Sequence, residues 1–206
     1  MFLIKKKITL LIFFVLSLAI ILFFFTQNKN NNEKIGGDFD LTNHLGDKIT
    51  NDSFNDYHRL VFFGFTNCPD LCPNTLNNVG TIIDEIDKKN KIVPIFITVD
   101  PERDTVNKLN DYLKNFHPKI IGLTGTKEQI KNVKSNYKIF SKKIIDMKDM
   151  DEKKDDHHDS HNHDHGGYSV DHTTIIYLMD KKGFYITHFS PESKNSEIIN
   201  KLNKYL

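Results

Sequence analysis

Apolar residues along the chain alternate between a strand pattern and a helix pattern. The runs 59–65 (RLVFFGF) and 91–100 (KIVPIFITVD) are short and rich in aromatic and β-branched residues, which is typical of buried strands. Between them, apolar side chains recur at steps of three and four from Leu76 to Ile86, and this spacing predicts an amphipathic helix. A strand, a helix and a second strand in this order indicate the start of an α/β domain.

The rest of the pattern continues the alternation. It predicts helices over 105–116, 126–137 and 194–206, a short strand over 119–125, a hairpin of 173–180 with 183–190, and an added N-terminal hairpin within 38–50. Asp104 is the expected N-cap of the first of these helices, and Thr126 is expected to open the second. The whole order fits a thioredoxin-like α/β fold, in which helices flank a central mixed sheet and a reactive turn follows the first central strand.

The N-terminal residues have a different composition. Residues 8–25 contain only Thr9 and Ser17 as polar residues and carry no charge. A helix of this length spans about 27 Å, close to the ~30 Å hydrocarbon core of a bilayer. We therefore expect an uncleaved transmembrane anchor over 8–25 in preference to a secretory signal peptide. The lysines that precede the anchor predict that residues 1–7 stay in the cytoplasm.

The polar segment 26–34 is predicted to be a tether, which leaves one globular domain over 35–206. With its N-terminus in the cytoplasm, this single-pass chain would hold the domain in the periplasm, on the bacterial inner membrane. In that oxidising compartment two cysteines tend to form a disulfide. The formal net charge of +1 gives no argument for a nucleic-acid partner.

Residues 146–167 form a His/Asp-rich insert, with eight acidic residues, five histidines and almost nothing apolar. Such a composition cannot bury enough surface to offset its ordering entropy, so we interpret it as a mobile loop just before the predicted 173–190 hairpin. The insert is either a solvated loop without function or a secondary site that collects metal ions through imidazole. The histidines concerned are His157, His158, His161, His163 and His165.

The only two cysteines, Cys68 and Cys72, lie between the first predicted strand and its helix. Free backbone N–H groups and the positive end of a helix dipole lower a thiol's pKa at that position. Residues four apart on a helical turn face the same way, so both sulfurs can point at one atom. The pair can form a structural disulfide, act as a redox pair or bind a metal ion, and its spacing alone leaves all three open.

Two thiolates select Cu(I) and also suit Zn(II), but they leave either ion under-coordinated. A third ligand would most naturally be a histidine from elsewhere, and His172 is the best candidate. It precedes the predicted hairpin, where a thioredoxin-type fold brings a loop next to the reactive turn. Two cysteines and one histidine suit three-coordinate Cu(I), whereas Zn(II) usually takes a fourth ligand. A single histidine at such a position more often has no ligand role. Asp171 is interpreted as a turn, cap or orienting residue.

Four blocks of sequence resemble the Sco (SenC) family of membrane-tethered copper proteins. They are FFGFTNCPDLCP, ITVDPERDT, GLTG and VDHTTIIYLMDKKGFY, and their order also agrees with the family. The resemblance covers about residues 35–206, and its most specific part is the combination of the C-P-D-x-C-P block with the later D-H-T block. The His/Asp-rich insert is not part of the family pattern.

The resemblance implies a thioredoxin-like domain that binds copper, as Cu(I), Cu(II) or both, through Cys68, Cys72 and His172. It further implies a metallochaperone, not an enzyme of turnover, that helps to assemble the CuA centre in subunit II of cytochrome c oxidase after receiving copper from an upstream donor. The alternative is a thiol–disulfide oxidoreductase that reduces the cysteines of the oxidase copper site, with Cys68 attacking and Cys72 resolving.

Overall fold

The structure is a computed structural model, and it describes residues 14–18, 20, 34–86, 92–145 and 168–206. The chain divides into two compact units, Met1–Lys34 and Ile35–Leu206. The predicted segment 1–7, most of the predicted anchor 8–25, the tether 26–34 except Lys34, and the insert 146–167 lie outside the described residues. No helix in the described part of the chain is long and apolar enough to cross a bilayer.

The second unit alternates strands and helices. In chain order its elements are β1 (Asp40–Asn43), β2 (Lys48–Thr50), a 3₁₀ turn (Asn51–Phe54), β3 (His58–Gly64), α1 (Leu71–Ile86), β4 (Ile92–Thr98), α2 (Val106–Leu113), β5 (Ile121–Thr124), α3 (Lys127–Asn136), β6 (Ser141–Ile145), β7 (Tyr168–His172), β8 (Ile176–Met179), β9 (Tyr185–Phe189) and α4 (Asn195–Leu202).

Among the described residues, seven strands form one mixed sheet in the order β2-β1-β5-β4-β3-β8-β9. β3 lies inside this sheet, parallel to β4 and antiparallel to β8, and β4 is also parallel to β5. The predicted hairpins are confirmed, because β1 pairs with β2 and β8 pairs with β9, both antiparallel. The thioredoxin-like arrangement predicted from the sequence is therefore confirmed.

Apolar side chains leave β3 alternately on the two faces of the sheet. Val61 and Phe63 join one buried cluster, and Leu60 and Phe62 join the other. A strand that is buried on both faces has a nearly continuous apolar sequence. The run RLVFFGF therefore predicted β3 correctly.

Helices cover both faces, as expected. Leu76 of α1, Leu109 of α2 and Ile198 of α4 belong to the cluster on one face. Ile130 and Val133 of α3 belong to the cluster on the other.

The start of α3 follows the predicted capping chemistry. The Thr126 hydroxyl accepts a hydrogen bond from the Gln129 amide at 3.2 Å, and the Gln129 side chain accepts one from the Thr126 amide at 2.8 Å. These reciprocal bonds satisfy two backbone donors that a helix start otherwise leaves unpaired.

The pairing of β6 with β7 was not predicted. β6 and β7 pair antiparallel, from Ser141 with His172 to Ile145 with Tyr168, and form a separate two-stranded sheet. The insert 146–167 connects these two strands in the chain. The sequence had suggested that the insert directly precedes the β8–β9 hairpin. Strand β7 lies between the two in the chain, so this expectation was wrong.

Candidate metal centre

The two cysteines lie where β3 ends and α1 begins, at the carboxyl edge of the parallel strands. This edge is where open α/β sheets commonly bind ligands. Cys68 lies in the turn and is half-buried, whereas Cys72 lies in the first turn of α1 and is fully buried. Both thiols are free and form no disulfide. The structure thus confirms the predicted strand, turn and helix around the pair.

Cys68 is the reactive member of the pair. The backbone amide of Cys72 donates to Cys68 Sγ over 3.4 Å. The pKa of Cys68 is lowered to about 5, and the largest cause is a hydrogen bond from the Cys72 side chain. Hydrogen bonds from the backbone amides of Cys72 and Asp70 and the charge of His172 lower this pKa further, whereas burial raises it. Cys68 is therefore a thiolate at neutral pH. The same hydrogen bond and burial raise the pKa of Cys72, which stays a thiol.

Gly64 makes room for the buried sulfur. A Cβ at this position would lie 2.7 Å from Cys72 Sγ and 2.6 Å from Cε2 of Phe96. Both distances are shorter than van der Waals contact. Only glycine lets the end of β3 approach α1 this closely, so Gly64 supports the position of Cys72 without contacting a ligand itself.

A buried carboxylate fixes the turn that carries Cys68. Asp104 accepts hydrogen bonds from the Thr66 hydroxyl at 2.6 Å, the Thr66 amide at 3.0 Å and the Thr98 hydroxyl at 2.6 Å. Burial raises the pKa of Asp104, and these hydrogen bonds oppose that effect. The expectation that Asp104 caps α2 was wrong. Thr105 is the N-cap, because its hydroxyl accepts from the Lys108 amide while the Asp104 carboxylate turns into the sheet.

His172 is the last residue of β7, at the same edge of the sheet as the cysteines. Its ring meets the Phe65 ring edge-on, with centroids 5.8 Å apart. The Phe65 carbonyl in turn accepts from the Cys68 amide at 3.2 Å. His172 Nδ1 lies 2.9 Å from the Thr173 carbonyl oxygen, which can only accept, so Nδ1 donates. With its proton on Nδ1, the ring can bind a metal ion only through the lone pair of Nε2, as in many metal-binding histidines.

The structure brings the two sulfurs together but does not complete the predicted ligand set. Within the described ranges, no group of three or more His, Cys, Asp and Glu side chains is close enough to hold a metal ion. His172 is coupled electrostatically to Cys68, but the described structure does not group it with the two cysteines around one ion-sized position. Asp171 is exposed on β7. The five insert histidines lie outside the described residues.

Tyr112 is a neighbour of the site that the sequence did not single out. Its ring packs on Phe96 and Phe116, with centroids 6.1 and 4.9 Å away. Its hydroxyl is buried and has no hydrogen-bond partner among the described residues. Burial raises the pKa of Tyr112, and electrostatic coupling to the cysteine pair raises it further. In the sequence, Tyr112 resembles any aromatic residue on an amphipathic helix.

Comparison with known proteins identifies relatives of this chain. A family model described as SCO1/SenC matches residues 27–206. The chain is 40% identical over 168 residues to a SCO2-like protein of Rickettsia prowazekii, covering 81% of this chain and 74% of that protein. The structure of Bradyrhizobium japonicum ScoI with copper bound is 35% identical, with a TM-score of 0.70, and the match covers 84% of this chain and 99% of that one. Arabidopsis thaliana ScoI with copper bound also reaches a TM-score of 0.70 at 33% identity, over 82% of this chain and 96% of that one.

The fold and the site together define a thioredoxin-like protein with an activated dithiol at the carboxyl edge of its sheet. The match over nearly the whole chain identifies the family: the chain belongs to the SCO1/SenC family. The resemblance noted from four short blocks of sequence is thereby confirmed.

Proposed function

We propose that this protein is a copper metallochaperone that binds copper through Cys68, Cys72 and His172. The observation that carries the proposal is the arrangement at the end of β3. An activated Cys68 thiolate lies beside the Cys72 sulfur, and the His172 ring packs on Phe65 at the same edge. Copper-bound structures of similar Sco proteins support copper as the cargo.

The donor atoms suit Cu(I). Soft thiolates favour Cu(I), and an imidazole completes a three-coordinate shell that Zn(II) would usually expand to four. Copper binding also replaces the proton that Cys72 holds, so affinity rises with pH. The low coordination number leaves the ion open to incoming thiolates. Transfer then proceeds by ligand exchange, with cysteines of the acceptor replacing the chaperone's ligands one at a time.

The acceptor in this proposal is the CuA site in subunit II of cytochrome c oxidase, and a separate upstream protein supplies the copper. Membership in the SCO1/SenC family supports this role. Residues 8–25 would anchor the chain in a bacterial inner membrane, with the copper domain in the periplasm. This topology fits the long apolar run and the lysines before it.

Replacing the imidazole tests the ligand set. We expect His172→Ala to raise the Cu(I) dissociation constant by more than about a hundredfold, beyond the usual effect of losing a supporting outer-shell group. The matched control is His188→Ala, an exposed histidine on β9 whose ring contacts Tyr185. Competition with a chromophoric Cu(I) chelator measures both constants. Equal constants for His172→Ala and the unmodified protein would remove His172 from the ligand set.

A second function is favoured by the lowered pKa of Cys68. The thiolate can attack a partner disulfide, after which Cys72 displaces the partner and forms a Cys68–Cys72 disulfide. The partner gains two electrons as two thiols, and the chaperone pair loses them. His172→Ala should largely spare this reduction of a small disulfide. Loss of reduction together with retained copper binding would favour the oxidoreductase over the chaperone.

The insert histidines form a separate proposal, a secondary site that collects metal ions. Deletion of residues 157–165 tests it by copper titration. An unchanged stoichiometry and uptake rate would show that the insert has no role in metal binding.

A further inference from the structure

The β6–β7 hairpin carries His172 but is not part of the main sheet. In the described part of the chain it forms its own two-stranded sheet, so no backbone ladder sets its position relative to β3. At its His172 end, the Thr173 amide donates to the Phe140 carbonyl at 3.0 Å, and the Phe140 amide donates to the Thr173 hydroxyl at 3.1 Å. These bonds stay within the hairpin and its flanking residues. The short chain connection 173–175 to β8 and side-chain contacts therefore hold the hairpin against the site.

Arg103 makes such a connection at the other end of β7. It lies in the loop after β4, and its Nη1 donates to the Tyr168 carbonyl oxygen at 3.0 Å. Its guanidinium carbon stacks 3.8 Å from the centroid of the Tyr168 ring. Its Nε donates to the Asp100 carboxylate, and the Tyr168 hydroxyl donates to the same carboxylate at 2.8 Å. Asp100, Arg103 and Tyr168 thus form a closed cluster, which we call the Arg103 clamp.

The Arg103 clamp is shielded from water, unlike the ion pairs around it. The Asp100 side chain is 1% exposed and that of Arg103 14% exposed, whereas Glu102 and Lys143 in the adjacent pair are 36% and 43% exposed. Exposed pairs of that kind contribute little, because solvent screens them. A charge-assisted contact out of solvent is stronger and geometrically more specific. The Asp100 amide also donates to the Thr98 hydroxyl at 2.9 Å, which connects the clamp to the end of β4.

The clamp reaches the candidate site through Phe65. The guanidinium carbon of Arg103 lies 5.8 Å from the centroid of the Phe65 ring, and His172 packs against the same ring at 5.8 Å. Phe65 therefore contacts both the clamp and the imidazole, just before the turn that carries Cys68.

We propose that the Arg103 clamp positions His172, by holding the β6–β7 hairpin so that the imidazole stays next to Phe65 and within reach of the two sulfurs. The clamp residues do not contact the ion. They act on copper affinity through the placement of His172, so the proposal rests on the proposed ligand role of that residue.

Two conservative variants test the clamp. Arg103→Lys keeps the charge but cannot bind Asp100 and Tyr168 together in one plane, and Tyr168→Phe keeps the stacked ring but removes the hydroxyl. We expect the Cu(I) dissociation constant to rise by roughly tenfold to a hundredfold in Arg103→Lys, the range for outer-shell partners of metal ligands. In Tyr168→Phe we expect about a tenfold rise, as for one hydrogen bond to a charged group. Tyr185→Phe, which removes the hydroxyl of an exposed residue on the edge strand β9, is the matched control and should leave the constant unchanged.

A second measurement reads the position of the ring without copper. In the metal-free protein, nuclear Overhauser effects between the Phe65 and His172 rings should weaken in both clamp variants and stay unchanged in Tyr185→Phe. If this ring contact keeps its intensity in both variants, the clamp proposal is overturned. It is also overturned if the contact is lost while the dissociation constant stays the same, provided that His172→Ala raises that constant. Failure of the proposed function is a different result, in which His172→Ala itself leaves the dissociation constant unchanged. The ring contact then decides the proposal without reference to copper.

Discussion

The two ends of β3 handle buried polar groups in opposite ways. Near its start, Arg59 is fully buried, and its guanidinium donates to the Asn51 side chain at 2.7 Å, the Asn51 carbonyl at 3.0 Å and the Lys181 carbonyl at 3.2 Å. After its end, Cys68 carries a negative charge, and the Tyr112 hydroxyl has no partner within the described residues. The Arg59 side chain uses both Nη atoms in hydrogen bonds, and only its Nε has no partner within the described residues. At the other end, the Cys68 sulfur remains available to bind an ion or to form a disulfide.

This difference separates stability from function along a single strand. Arg59 connects β3 to the 3₁₀ turn and to the β8–β9 turn, so its hydrogen bonds join three parts of the fold. Cys68 and Cys72 bond mainly to each other, which leaves their sulfurs available for an ion or a disulfide. Changes near Arg59 should therefore alter folding, and changes near Gly64 should alter sulfur chemistry.

The largest expected effect is on thiol reactivity. Because the pKa of Cys68 is lowered to about 5 from the usual 9.0, its thiolate fraction rises as pH passes 5 and not 9. At pH 7 the fraction is nearly complete, against about one hundredth for a thiol of pKa 9. We expect Cys68 alkylation by iodoacetamide to follow a midpoint near this lower value. In Cys72→Ala the midpoint should move upward, because the main hydrogen bond to the thiolate is lost. An unchanged midpoint in Cys72→Ala would contradict that cause.

Next in size is the effect of Arg59→Ala on folding. The variant leaves the Asn51 side chain and two carbonyl oxygens without their donor, and we expect the free energy of unfolding to fall by about 2 to 3 kcal/mol. Urea denaturation measures this change. The apparent pKa of Cys68 in the folded variant should stay the same, and a shifted alkylation midpoint would show that the two ends are not independent.

Gly64→Ala should affect both properties. The added methyl group must displace Cys72 Sγ or the Phe96 ring. We therefore expect the free energy of unfolding to fall by about 1 to 3 kcal/mol, the usual result of overpacking. Because the Cys72 sulfur shifts, the alkylation midpoint of Cys68 should shift as well. Unchanged stability and an unchanged midpoint would mean that the close approach of β3 to α1 does not matter.

The smallest effect is expected for Tyr112→Phe. Its hydroxyl has no partner in the described structure, so removing it should change the free energy of unfolding by less than about 0.5 kcal/mol or stabilise the protein slightly. The matched control is Tyr177→Phe. The Tyr177 hydroxyl donates to the Tyr137 carbonyl at 3.3 Å, so its removal should lower the free energy of unfolding by about 1 kcal/mol. Equal losses in the two variants would show that the Tyr112 hydroxyl is bonded after all.

The sequence predicted elements whose signals are local. RLVFFGF and the three-and-four spacing after Cys72 identified β3 and α1, and Thr126 with Gln129 identified the start of α3. β6 and β7 were missed because they are short, partly polar, and separated by the 22-residue stretch 146–167, so no tight turn indicates a hairpin. Adjacent Asp104 and Thr105 are both suitable N-caps, and only tertiary burial decides between them.

The sequence indicates the donor atoms available at the candidate site, but not the distances between them. Residue type and spacing suggested what Cys68, Cys72 and His172 can bind, since soft sulfur and imidazole ligands have known preferences. The roles of Gly64 and Arg103 depend on distances between segments far apart in sequence. A pattern of residues along the chain contains no such distances.

X-ray absorption spectroscopy of the Cu(I)-loaded protein gives the most direct measurement of the proposed ligand set, because it distinguishes sulfur neighbours of the ion from lighter ones. We expect two sulfur neighbours and one nitrogen neighbour in the unmodified protein, and loss of the nitrogen alone in His172→Ala. A shell of sulfur only, or a nitrogen that persists in His172→Ala, would contradict it.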